Sequence, residues 1–162
     1  MNKGITLISL IITIILMVII GGSTAIIGVN MIEKTQQQDL NRQLAMVNNA
    51  ILERYTSYIK TKDVTFLLGS PCNLEDVENL ANKIEVDLIE IPNSYECEAE
   101  LRKYYKLSIT NLDAIGIEKS KYTYIVNYLT GEVINETKAL EGERYYMYSK
   151  SNFNLKNNVT AF

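Results

Sequence analysis

The sequence predicts an α+β protein: a long N-terminal helix, transmembrane and then amphipathic, packed on a C-terminal antiparallel β-sheet with short helices between. Three observations carry that expectation. Residues 5–30 contain no charged side chain. Residues 31–60 contain no Pro or Gly, and their apolar side chains recur every three or four positions, the period of one helix face. The segment from Lys121 to Tyr148 is rich in Tyr, Val and Ile and is broken at Gly131 and Gly142, as strands joined by tight turns would be. The expected organisation is a leader at 1–4, a membrane half of the helix at 5–30, an amphipathic half at 31–61, a globular head at 62–150 and a polar tail at 151–162.

The membrane half follows from length. A helix needs roughly 20 apolar residues to cross about 30 Å of hydrocarbon. Residues 5–20 are Ile, Leu, Val and Met broken only by Thr6, Ser9 and Thr13, and Ala25, Ile26, Ile27 and Val29 extend the run. In lipid every backbone group must be satisfied within the segment, so a single pass has to be helical. Lys3 and the amino terminus precede the run, while Glu33 and Lys34 after it cancel, which favours a cytoplasmic N-terminus and an external remainder. A secretory signal would have a longer basic region, an apolar run of about 7–15 residues and a small-x-small cleavage site. Within the run, Gly21, Gly22, Ser23, Thr24 and Gly28 read either as close helix packing or as a point of local unwinding, since Gly costs about 1 kcal/mol in a helix interior relative to Ala.

In the amphipathic half, Leu40, Leu44, Val47, Ile51, Tyr55 and Ile59 form the stripe, and Gln38, Arg42, Asn49, Glu53 and Lys60 lie opposite. The stripe needs a cover. A coiled-coil stalk is the alternative, but the stripe covers fewer heptads than a stalk needs.

Beyond the first thirty, about 130 of the 162 residues remain, enough for one modest domain. Residues 64–68 read as a short apolar strand, and Ser70-Pro71-Cys72-Asn73 as a break. Asn73 is placed to cap a helix with Leu74, Val77, Leu80, Ala81 and Ile84 inward. Val86, Leu88, Ile89 and Ile91 precede a stop at Pro92. Asn93 with Glu96 resembles a capping box for a helix through about Tyr105. Leu107, Ile109, Leu112, Ile115 and Ile117 are too irregularly spaced for an assignment. Residues 121–128 and 132–135 read as strands of a hairpin turning at Thr130 and Gly131, because Gly supplies the positive φ of a tight reversal. Residues 140–143 give a second turn and 144–148 a third strand, completing a meander whose apolar face covers the helix stripe.

Lys3-Gly4 followed by Ile5-Thr6-Leu7-Ile8-Ser9-Leu10 resembles the prepilin cleavage and methylation motif of type IV pilins and pseudopilins. That pattern is Gly, an apolar residue, Thr, Leu, Ile or Val, Glu, Leu; five of the six positions after Gly4 fit and Ser9 departs. The segment from Tyr124 to Val133 also resembles a hairpin found in pilin-like proteins. The resemblance implies that a prepilin peptidase cuts between Gly4 and Ile5 and that Ile5 is N-methylated. It implies as partners other pilin or pseudopilin subunits, a membrane assembly platform and the lipid bilayer. The implied location is the cytoplasmic membrane in a single pass, with the head external, and the extracellular space once assembled. A helix apolar on every side is solvated equally by lipid or by other such helices, so transfer into a filament costs little. Where the family has Glu, Ser9 carries no charge. A carboxylate in the membrane is tolerated when paired, in the family by the positive terminus of a neighbouring subunit. Ser9 cannot make that pairing, which implies a minor pilin or minor pseudopilin, or a system that does not rely on the carboxylate.

Composition argues against an enzyme. Without His there is no Ser-His-Asp or Cys-His arrangement, and two Cys cannot make a four-Cys site. No phosphate-cradling Gly-rich loop occurs. No cofactor and no metal are expected, and a net charge of −3 gives no reason to expect nucleic acid. Glu85, Asp87, Glu90, Glu96, Glu98 and Glu100 lack EF-hand spacing and read as a solvated face. Cys72 and Cys97 fall outside the membrane, where they form either a disulfide or two buried free thiols. The tyrosines, eleven against three Phe, read as sheet packing with hydroxyls at the rim rather than as an adhesive face. The competing function is a membrane-tethered external sensor or binding domain with an uncleaved signal anchor. It would need a cytoplasmic output, which the few residues before the span do not supply.

Overall fold

The computed structural model describes residues 34–149, residue 94 excepted. The leader, Gly4, Ile5, Ser9, the membrane half of the helix and the tail at 151–162 lie outside the described residues. Backbone contacts divide the chain into Met1–Asp39 and Leu40–Phe162. Of the first unit, residues 34–39 are described; they are helical and exposed. Among the described residues no helix is long and apolar enough to cross a membrane.

The first helix, α1, covers residues 34–61. Within the second unit its Leu40, Leu44, Val47 and Ile51 are buried, and Arg42, Asn49, Glu53 and Lys60 are exposed, as the period requires. The last turn differs from expectation: Tyr58 is buried, Tyr55 is half-buried and Ile59 is 40% exposed. Each step of four residues overshoots a full turn by about 40°, so the steps Ile51–Tyr55–Ile59 carry the stripe off the covered face. The helix ends where Lys62 takes a left-handed φ of 59°.

Residues 64–68 do not form the expected strand. Val64–Phe66 is a 3-10 turn, nucleated by Asp63, whose side chain accepts from the Thr65 amide at 2.9 Å. The strand β1 lies later, at Ser70–Pro71, inside the expected break. It pairs Ser70 with Lys106 and Pro71 with Tyr105 at the sheet edge, where Pro is tolerated. Gly69 before it has φ +102°, and a Cβ there would sit 2.7 Å from the Lys106 carbonyl oxygen, so the strand enters its pairing only on Gly.

Helix α2, Leu74–Lys83, starts as expected at Asn73, whose side chain accepts from the Glu75 amide. Val77, Leu80, Ala81 and Ile84 are buried, whereas Leu74 is 54% exposed. The helix expected from Asn93 to Tyr105 is replaced by a 3-10 turn, Ala99–Arg102, and strand β2, Tyr104–Leu107. The Arg102 guanidinium donates to the carbonyls of Ile91, Pro92 and Tyr95. The irregular apolar run resolves into Leu107 ending β2 and helix α3, Ile109–Asp113, opened by a capping box of Ser108 and Asn111.

The hairpin forms as expected from β3, Tyr124–Asn127, and β4, Val133–Asn135. The return to the last strand is longer than a turn. Helix α4, Glu136–Leu140, capped by Asn135, intervenes before β5, Tyr146–Met147, which is shorter than expected. The sheet is an antiparallel meander of five strands in chain order, β1 to β5.

Both faces of this sheet are covered. Tyr105, Leu107, Tyr124, Val126 and Val133 pack with Leu44, Val47, Ile51 and Tyr58 of α1. Their alternates Tyr104, Ile125 and Ile134 pack with Val77, Leu80 and Ile84 of α2 and Ala139 of α4. Strand β3 is therefore buried at all four positions. Each large aliphatic side chain removed from water in this way contributes roughly 1.5–3 kcal/mol.

Candidate functional site

The hairpin turn at Thr130 and Gly131 is built from inside. The Asn127 side-chain oxygen accepts from the amides of Leu129, at 2.9 Å, and Thr130, at 3.0 Å. Its side-chain amide donates to the carbonyl of Lys103, the residue just before β2. Gly131 has φ 76°, and its amide donates back to the Asn127 carbonyl at 3.0 Å. The Gly131 carbonyl accepts 2.8 Å from the side chain of Asn48, a buried residue on α1. The turn, the entry to β2 and helix α1 are thus joined by side-chain amides.

The next residue, Glu132, is the centre of the arrangement. It is 0% exposed, yet among the described residues no lysine or arginine pairs with it. Burying a charge is costly unless its oxygens find donors, and here both do. Oε2 accepts from the hydroxyls of Tyr104 and Thr130, each at 2.6 Å. Oε1 accepts from the Ile89 amide at 2.8 Å and the Tyr146 hydroxyl at 2.9 Å. Burial first, and the Glu132 charge second, push the phenols of Tyr104 and Tyr146 well above the ordinary tyrosine range, so both stay protonated donors. Glu132 therefore joins the loop after α2, strand β2, the hairpin turn and strand β5.

A second polar group closes the lower end of α1. Tyr58 donates to Glu98, which also accepts from Lys62 Nζ at 2.6 Å. Tyr105 donates 3.0 Å to Glu100, which is paired with Lys103 at 2.7 Å. Lys62 first, then Tyr58, lower the Glu98 carboxyl; Lys103 first, then Tyr105, lower that of Glu100. The hydrogen bond to Glu98, with burial next, pushes Tyr58 up to about 12. These two members of the acidic stretch are thus ion-paired rather than merely solvated. The buried Tyr104, Tyr105, Tyr124 and Tyr128 pack the sheet, and Tyr128 ends its hydroxyl on the Leu68 carbonyl.

Two clefts open nearby. One, of about 640 Å³, lies along α2 and residues 86–93, with Glu78, Asp87, Glu90, Arg102 and Tyr104 in its wall. The other, of about 510 Å³, is lined by Tyr55, Ile59, Lys62, Tyr95, Cys97 and Leu129, among others. Cys72 and Cys97 are both free and half-buried, and no bridge joins them. Cys72 packs against the α2 cluster and Cys97 against the α1 cluster. Burial raises the Cys72 thiol pKa, and the Glu136 charge adds to it. Among the described residues no three His, Cys, Asp or Glu converge as a metal site.

Sequence reasoning located Thr130 and Gly131 but not Glu132 or Asn48. The Thr-Gly-Glu order gave the only local hint, since Thr130 bonds the carboxylate two residues on. No protein-family model matches the chain, and neither a curated protein nor a solved structure is significantly similar to it.

Proposed function

We propose that the chain is a structural subunit, of the minor kind, of a type IV pilus or pseudopilus. The observation that carries this reading is Lys3-Gly4-Ile5-Thr6-Leu7-Ile8-Ser9-Leu10 standing before an uncharged stretch that runs to Asn30. A helix whose later half is covered by an antiparallel meander suits the same reading, because it gives an apolar anchor a folded head. In this account a prepilin peptidase cuts after Gly4, Ile5 becomes the methylated terminus, and the freed helix packs beside those of other pilin or pseudopilin subunits. Ser9 in place of the family's Glu makes the chain a minor rather than a main component.

Two variants test it in the native host. Gly4→Leu is expected to leave the chain unprocessed in the membrane fraction and absent from sheared filaments; normal processing counts against the reading. Ser9→Glu is expected to change the incorporation of the chain. Unchanged incorporation, in a filament already made mainly of this protein, removes the minor-subunit assignment.

The cleft of about 640 Å³ favours one second reading, a membrane-tethered external binding domain that is never cleaved.

A further inference from the structure

Strand β5 is a weak element by construction. It pairs with β4 through only Val133–Met147 and Ile134–Tyr146, and its own side chains are half-buried. The wall of the larger cleft differs: residues 86–92 form neither helix nor strand and are tied at their ends, Val86 to the Ala81 carbonyl and the Ile91 and Pro92 carbonyls to Arg102, with Ile89 between. The two meet at one atom. Glu132 Oε1 accepts from the Ile89 amide of the wall, at 2.8 Å, and from the Tyr146 hydroxyl of β5, at 2.9 Å. The other oxygen is fixed from below by Tyr104 on β2 and Thr130 in the turn. If either partner leaves, water enters beside a buried carboxylate and competes for the bond that remains, since the low local dielectric that strengthens both bonds is lost.

We propose that Glu132 is a latch that makes the cleft wall and the terminal strand one cooperative opening unit. Local openings of low free energy are drawn from segments with few buried contacts and gather into contiguous units. Here the unit is contiguous in space but spans residues 89 and 146. Its opening releases β5 from β4, baring the β4 edge, and loosens the wall of the cleft. A ligand or partner that tightens the wall therefore also holds β5 down, by linkage through the shared open state.

Amide hydrogen exchange on the full chain in detergent tests this. Two amides report the two halves: Ile89, which donates to Glu132, and Asn135, which donates to the Tyr145 carbonyl across the β4–β5 pair. The Cys72 amide, bonded to the Tyr104 carbonyl at the opposite edge, reports the rest of the sheet. Because Glu132→Gln disturbs all four bonds at once, the test uses Tyr146→Phe, which removes one donor from Oε1, and Ile89→Pro, which removes the other. Tyr146→Phe is expected to speed exchange at both Ile89 and Asn135 by about tenfold, the effect of one lost hydrogen bond to a charged group, with Cys72 unchanged. Ile89→Pro is expected to speed exchange at Asn135. Acceleration confined to Asn135 in Tyr146→Phe, or an equal acceleration at Cys72, would overturn the latch.

Discussion

The side-chain amide of Asn48 donates 2.8 Å to the Gly131 carbonyl, joining α1 to a hairpin turn 83 residues away. The bond is buried and sits beside Val47, in the middle of the covered face of α1. Asn48→Ala leaves the Gly131 carbonyl without its partner in the interior and is expected to cost about 1–3 kcal/mol. Urea unfolding of the full chain in detergent checks this. Asn49→Ala, one residue on and exposed, is the control and is expected to change little.

Glu132 carries more than Asn48 because four donors converge on it. Glu132→Gln keeps the shape but has one acceptor oxygen, so two donors must find other partners. The expected loss is about 1.5–3 kcal/mol, larger than that of Tyr104→Phe, which removes one donor and leaves three. The ranking of the two midpoints in the same unfolding series is the readout. A Gln variant as stable as the parent would show that the carboxylate charge is not what the four donors stabilise.

The paired acids predict a dependence on pH. Glu98 and Glu100 have folded pKa values held below the ordinary 4.5, so their contribution is present above that value. It is lost as pH falls through the lowered values. Tyr58 is shifted the other way: its contribution is present below its ordinary 10.0 and is lost as pH rises through about 12. Glu98 anchors its segment to the end of α1 through Tyr58 and Lys62, and Glu100 ties together Lys103 and Tyr105 within it. The urea midpoint of the full chain is therefore expected to fall as pH is taken down from the ordinary 4.5 through the lowered values, and to fall less in Glu98→Gln, which has already lost that carboxylate.

The thiols give a chemical prediction. Cys72 and Cys97 pack against different clusters as free side chains. Denatured protein that has not been reduced is expected to take up two alkyl groups. A gain of none, matched by two after reduction, would place a bridge there.

How far these features could be read in advance depends on how local their causes are. The stripe on α1 was legible because Leu40, Leu44, Val47 and Ile51 repeat at the helix period, and the hairpin was legible because Gly131 breaks a run of β-formers. Strand β2 was not. Tyr104 and Tyr105 are buried on opposite faces of a sheet covered on both sides, so the alternation that marks a half-buried strand is absent. Its pairing with β3 then overrides the weak capping pattern at Asn93. Strand β1 is two residues long and includes Pro71, too little for any period to show. Glu132 stayed hidden because three of its four donors, at 89, 104 and 146, lie far along the chain and are assembled only by the fold.

The measurement that bears most directly on the pilin reading is the mass of the N-terminal peptide from protein purified out of its native host. The account predicts a chain that has lost residues 1–4 and begins with a methylated Ile5. An intact Met1 would contradict it and leave the tethered external domain as the better description.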